Sequence, residues 1–474
     1  MPTTPPARAA RPRAARPRAN AARPRAAVAG LAALGVAVGL AAPAGAVTPE
    51  TLFPAQGNPG YDVRHYDVRL AYAPATNHVA AVATLRATAP DRLASFHLDL
   101  SGLTVSAVTV DGRPATWTRR GHELVVTPRR AVDGDFTAAV RYAGVPREHT
   151  DADGSTEGWV RTHDGATALG EPVGAMTWLP SDNTPADKAT YAFHLRVPRG
   201  FQAAANGDLV RRATHAGHTT WDWRATDPMS TYLATVSFGH FDVHRSATTS
   251  VDGSRIPIWS FVDPTSKPTT RARALLPKVI AFEEKRFGAY PLTSAGMIVD
   301  DADVGYALET QTRPFYPGGL DTPTLVHEMA HQWYGDSVTL TDWHDIWLAE
   351  GFATYAEWLW DGAHGGRTPA RHFDALDAKP ADDALWHPAP TEFTDSADLF
   401  GAPEYNRGAM TLQVLRERVG AAHFARILRA WAAEHRHGSV RTADFVALAE
   451  RVSGQDLGTL FHDWLRLDGK PAGY

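Results

Sequence analysis

Cysteine is absent from the 474 residues. That absence excludes disulfides, thiol catalysis, thiolate metal sites and lipid carried on sulfur. Any metal must therefore be held by His, Asp or Glu. Acidic residues are missing from the first 46 positions, where seven arginines (Arg8, Arg11, Arg13, Arg16, Arg18, Arg23, Arg25) alternate with Ala and Pro. Beyond that leader no stretch is long and apolar enough to span a bilayer. What remains is an ordinary globular composition, 44% hydrophobic and 21% charged, long enough for two or three domains.

The leader continues with an uncharged Ala/Gly/Val/Leu run from Ala26 to Ala42, then Pro43 and the small triplet Ala44-Gly45-Ala46. A basic flank, an apolar stretch and a small-residue end read as a secretory signal peptide over residues 1–46, cleaved after Ala46. An uncleaved membrane anchor and a basic nucleic-acid arm are the competing readings. Without those seven arginines the chain keeps 40 basic residues against 52 acidic ones, a formal net of −12. An acidic body of this kind argues against nucleic acid and against stable membrane attachment once the leader is removed.

From Tyr61 to about Pro264 the pattern is that of strands. Tyr66, Val68, Leu70 and Tyr72 alternate with polar or small residues, and Phe96, Leu98 and Leu100 repeat the period of two. Val108-Thr109-Val110 running into Asp111-Gly112 signals a hairpin, and Tyr191–Val197 and Tyr232–Phe238 read as later strands. After Val262-Asp263-Pro264 the spacing becomes helical, from Leu275 to Phe287 despite Pro277, and again over His423–Glu434 and Thr442–Val452. The expected organisation is a β domain over residues 47–266, followed by a mainly helical domain over 267–474. His435 and His437 fall at a helix end, where solvated cations are expected.

Chemistry concentrates in Asp321-Thr-Pro-Thr-Leu-Val-His-Glu-Met-Ala-His-Gln-Trp-Tyr334. Asp321 or Thr322 can cap a helix beginning at Pro323. On it His327 and His331 share a face, with Cβ atoms about 6 Å apart, a separation that suits two nitrogens on one zinc ion. Glu328, one position round, is placed to act as general base. Two ordinary surface histidines are the alternative, but Leu325, Val326, Met329, Ala330 and Trp333 make the helix apolar around them. A second helical stretch, Ile346–Trp360, offers Glu350 as a third ligand, completing a His₂Glu set with an open fourth position. Thr354, one turn on, is a candidate hydrogen-bond partner of a ligand.

His327-Glu328-x-x-His331, eighteen residues, then Trp347-Leu348-Ala349-Glu350-Gly351-Phe352-Ala353 resembles the gluzincin signature of the M1 aminopeptidase family. Gly305-Tyr306-Ala307-Leu308-Glu309-Thr310 is similar to that family's G-A-M-E-N segment. Glu171-Pro172-x-x-Ala175, Pro180, Pro185 and Lys188-Ala189 resemble its β-domain stretch, and Tyr405-Asn406-Arg407-Gly408-Ala409 its Tyr-x-Lys-Gly-Ala motif. The resemblance implies a saddle-like antiparallel β domain, then a thermolysin-like, mainly helical catalytic domain, one Zn²⁺ per chain, and removal of N-terminal residues from peptides. It implies Tyr405 as oxyanion donor, and Glu309 and Glu171 as partners of the substrate's free amine. Leu169 stands where the family has Gln, Thr310 where it has Asn, and Arg407 where it has Lys. The chain runs about 124 residues past Glu350, room for a thermolysin-like domain but not for the large C-terminal helical domain of longer members. A zinc endopeptidase without a strict amine anchor, and a non-catalytic zinc-stabilised binding protein, are the alternatives.

Overall fold

The computed structural model describes residues 51–267 and 269–472; the expected signal peptide lies outside them. Alternation turns into sheet as expected. Tyr66, Val68, Leu70 and Tyr72 are all buried on the strand Asp62–Ala73. That strand sits inside an eight-stranded sheet, between Ala189–Pro198 and His78–Leu93. The pairing with His78–Leu93 is antiparallel and that with Ala189–Pro198 is parallel, so the sheet is mixed. Asp111 and Gly112 link Thr104–Val110 to Arg113–Pro114 with φ of 49° and 69°. Both residues are left-handed, as a two-residue type I′ turn requires. A five-stranded sheet (Gln202–Ala205, Val236–Gly239, Ala166–Leu169, Thr156–Arg161, Glu148–Thr150) carries the segment that leads into Glu171. The expected strand Tyr232–Phe238 is split: Thr231–Leu233 is a short 3₁₀ turn, and only Val236–Gly239 pairs.

A third sheet crosses the expected domain boundary. Asp242–Thr249 and Arg255–Val262 form its antiparallel half, and Arg255–Val262 pairs in parallel with Ala295–Asp300, which pairs with Phe315–Pro317. The crossover between its two central strands is α1 (Thr270–Phe287), which keeps Pro277 inside it and buries Leu276, Val279, Ile280 and Phe287. Seven more α-helices follow among the described residues: α2 (Thr322–His331), α3 (Trp347–Ala363), α4 (Pro369–Asp377), α5 (Gly408–Val419), α6 (Ala421–Glu434), α7 (Thr442–Ser453) and α8 (Gly458–Leu465). Two apolar cores result, one between the N-terminal sheets and one among the helices. Among the described residues no helix is long and apolar enough to cross a membrane.

The histidines at the end of α6 are not solvated cations. Burial lowers the pKa of both, His437 to about 4, and the Arg436 guanidinium donates to His437 Nε2 over 3.0 Å. A ring nitrogen that accepts a hydrogen bond holds no proton of its own.

Candidate active site

Asp321 caps α2 by accepting from the Thr324 N–H at 2.9 Å, with Thr322 and Pro323 in the first turn. Helical spacing then stacks His327 and His331 with ring centroids 4.7 Å apart. α3 packs against α2 and brings Glu350 between them. Its Oε2 lies 3.1 Å from His327 Nε2 and 3.5 Å from His331 Nε2. Ligands at about 2.0–2.2 Å around one tetrahedral zinc are separated by about this much.

The other ring nitrogens are also committed. His327 Nδ1 meets Glu357 Oε1 at 2.7 Å, and His331 Nδ1 meets the Tyr334 carbonyl at 3.1 Å. Such partners fix the tautomer and aim both Nε2 atoms at Glu350. Burial works against protonation of both histidines. Glu350 and Glu357 nonetheless raise the His327 pKa well above its ordinary value, and Glu350 with Glu309 raises that of His331 to about 9. Burial would lift the Glu350 carboxyl, yet the two imidazoles hold it near 2. The set thus demands positive charge at its centre, and a divalent cation on two nitrogens and one carboxylate satisfies that demand. The donors fit Zn²⁺.

Glu328 is buried beside this set, and its Oε2 has no hydrogen-bond partner. Burial pushes its carboxyl to about 8, against the pull of His327 and His331. Glu309 and Glu171 line the same cleft, a cavity of about 800 Å³, with His327, Glu328, His331, Glu350 and Tyr405. Both are buried, each has one oxygen without a partner, and burial raises both carboxyls. Glu309 repels Glu171 more than any other charge does, so the two face a common space. All seven residues singled out in the sequence therefore meet in one cleft.

Their supports explain the departures. Gln332, next to His331, donates from Nε2 to the Glu309 carbonyl at 3.2 Å and accepts from the Thr312 N–H at 2.7 Å, clamping that segment to α2. Thr310 closes the same turn through its hydroxyl to the Arg313 carbonyl, 2.6 Å away. Leu169 is buried and absent from the cleft wall. Arg407 is spent on backbone carbonyls of Trp386, Asp463, Trp464 and Leu467, tying the end of α8 to the Tyr405 segment. Tyr405 itself lies in a π-helical turn, Pro403–Arg407, with its ring 6.0 Å from that of His327 at an interplanar angle of 17°. Burial and the surrounding carboxylates, Glu350 first, raise its phenol pKa well above the ordinary value, so it stays a donor.

Sequence reasoning missed Glu357 and Gln332. Glu357 follows Glu350 by seven residues, two turns along one face of α3, whereas Thr354 makes no hydrogen bond to a ligand. The spacing was the available signal, but an acid on a helix face is usually just solvated.

Comparison with known proteins points the same way over both domains. The Peptidase M1 N-terminal domain matches residues 63–233, and the Peptidase family M1 domain matches residues 321–464. Aminopeptidase M1-A of Oryza sativa subsp. japonica is 28% identical over 330 residues, covering 64% of this chain and 37% of that protein. Aminopeptidase N of Streptomyces lividans is 27% identical over 311 residues, covering 60% of this chain and 36% of that protein. The match thus spans little more than a third of the length of these relatives. The crystal structure of the M1 zinc metallopeptidase from Deinococcus radiodurans is similar over 90% of this chain and 99% of its own, at 29% identity and a TM-score of 0.78. A glutamate-to-alanine mutant of that enzyme bound to a Tyr-Ser-Ala substrate is similar over 89% and 98%, at 28% identity and a TM-score of 0.79. With both domain types in order, and the His₂Glu set inside the second match, this chain belongs to peptidase family M1.

Proposed function

We propose that this chain is a zinc-dependent aminopeptidase that removes N-terminal residues from peptides, and that it acts outside the cell after loss of residues 1–46. One observation carries the exopeptidase reading. Two buried carboxylates, Glu309 and Glu171, line the cleft that holds the metal set, and each keeps one oxygen without a hydrogen-bond partner. A free α-ammonium satisfies both; a blocked, neutral N-terminus leaves them buried and unpaired, at a cost of several kcal/mol. Anchoring the amine there fixes the scissile bond one residue away. The aminopeptidase relatives and the peptide-bound neighbour support the same substrate class, and the Arg-rich, acid-free leader supports export.

When bound by His327, His331 and Glu350, zinc supplies a Lewis acid that polarises the scissile carbonyl and lowers the pKa of water to about 7. Glu328 takes the proton of the attacking water on its carboxylate and delivers it to the leaving amine. The Tyr405 hydroxyl donates to the oxygen that becomes anionic as the carbonyl is attacked. Glu357 and the Tyr334 carbonyl keep both imidazoles in place.

The test is hydrolysis of aminoacyl chromogenic amides and of their N-acetylated forms. Turnover of the free-amine series with loss of the acetylated series supports the reading. Equal turnover of both would make the chain a broad peptidase, and no turnover of either, with zinc bound, a binding protein.

A further inference from the structure

We infer that His149, Asp151 and Glu157 form a second cation site, for a divalent transition metal such as Zn²⁺, in the N-terminal domain. The register of one hairpin makes it. His149 on Glu148–Thr150 is the cross-strand partner of Glu157 on Thr156–Arg161, so their side chains share a face. Asp151, two residues after His149, returns to that face. His149 Nε2 lies 3.6 Å from Asp151 Oδ1 and 3.8 Å from Glu157 Oε1, and the three donor atoms all fall within 4.8 Å of one another. These separations are too long for hydrogen bonds and close to those of ligands around one ion.

The second observation is Glu157. Its side chain is fully buried, yet Oε1, the atom aimed at the other two donors, meets no donor group of the protein, and neither does Asp151 Oδ2; at these atoms the two carboxyls have only each other. Among the described residues no lysine or arginine pairs with either carboxylate; burial raises both carboxyls, Asp151 to about 7, so the pair shares a proton that a metal ion would displace. One nitrogen and two carboxylate oxygens suit Zn²⁺ or Mn²⁺ better than Ca²⁺ or Mg²⁺, which favour all-oxygen sets. The imidazole, 36% exposed, leaves a path from solvent.

The site reaches the substrate cleft through short links. Glu157 Oε2 accepts from the N–H groups of Val173 and Gly174, at 3.1 and 2.7 Å, just past Glu171-Pro172. Gly174 cannot be replaced there, because a Cβ would lie 2.8 Å from Glu157 Oε2 and 2.5 Å from backbone on two sides. The hairpin tip, Asp153–Thr156, lines the cleft, and Tyr306 donates to the Thr156 carbonyl at 2.7 Å. A cation on Glu157 therefore stiffens both the tip and the loop of Glu171. That consequence rests on Glu171 being an amine anchor, whereas the metal count does not.

The experiment is elemental analysis of the full chain after equilibration with Zn²⁺ and gel filtration, for wild type, His149→Gln, Asp151→Asn and a His327→Ala/His331→Ala double variant. Two equivalents in wild type and one in each variant are expected. In the double variant, Zn²⁺ should still raise Tm, an effect lost when Asp151→Asn is added. One equivalent in wild type, or two retained in both His149→Gln and Asp151→Asn, overturns the proposal and leaves a carboxyl pair sharing a proton. Either hairpin variant suffices if the other does not fold, and loss of amidase activity with two zinc ions still bound would count against the functional reading alone.

Discussion

Glu350 and Glu357, two turns apart on one face of α3, hold opposite nitrogens of the same ring: Glu350 Oε2 lies 3.1 Å from His327 Nε2 and Glu357 Oε1 lies 2.7 Å from Nδ1. One carboxylate is placed to ligate a metal and the other to orient the histidine. Glu357→Gln keeps the shape and loses the charge. Zinc affinity should fall about 10–100-fold, measured by competition with a chromogenic chelator, with Tm of the zinc-loaded chain little changed. Unaltered affinity would make Glu357 an ordinary surface acid.

Glu328 lines the cleft, touches neither Glu350 nor the ring nitrogens through any hydrogen bond, and keeps one oxygen unpartnered. Glu328→Gln should therefore keep zinc at the wild-type stoichiometry while kcat falls by about 10²–10⁴-fold. Zinc loss alongside activity would reassign Glu328 to metal binding.

Tyr405→Phe removes one hydroxyl from a ring held beside His327. The expected loss is about 3–4 kcal/mol of transition-state stabilisation, or 10²–10³-fold in kcat with KM nearly constant. A KM effect alone would mean that Tyr405 binds substrate without assisting the reaction.

The π-turn of Tyr405 is brought to α3 by two glycines. A Cβ on Gly351 would lie 2.8 Å from the Gly408 carbonyl carbon, so the two backbones touch where α3 meets α5. Gly351→Ala should cost about 1–3 kcal/mol in urea-unfolding stability and also lower kcat, because Tyr405 moves with α5. Full stability in this variant would contradict the packing.

His437 gives a pH signature away from the active site. Burial holds its folded pKa near 4, against an unfolded value of about 6.5. Between those values the unfolded chain binds a proton that the folded chain refuses, so stability falls as pH drops from about 6.5 toward 4, and His437 has no effect above that window. Relative to His437→Gln, wild type should lose about 1–2 kcal/mol between pH 7 and pH 5 in urea titrations. Parallel pH profiles would show that His437 titrates normally when folded.

What the sequence revealed followed from short periods. The four-residue spacing of His327 and His331 needs only a helix, and Asp111-Gly112 needs only its own left-handed turn. Glu350 was a candidate from its helix and the need for a third ligand, whereas Tyr405, Glu309 and Glu171 were reachable through resemblance, since nothing local says that distant segments share a cleft. The third sheet was illegible because parallel pairing of Arg255–Val262 with Ala295–Asp300 is made across α1, by contacts more than thirty residues apart. The π-turn was hidden for the opposite reason: one extra residue in Pro403–Arg407, the turn that carries Tyr405 beside His327, leaves no periodic trace.

The central claim is tested most directly by an anomalous-difference map at the zinc edge from crystals of the zinc-loaded chain. The account predicts a peak shared by His327 Nε2, His331 Nε2 and the Glu350 carboxylate, with Glu328 and Tyr405 facing its open side. No peak between the two histidines, or one from which Glu350 is turned away, would contradict it.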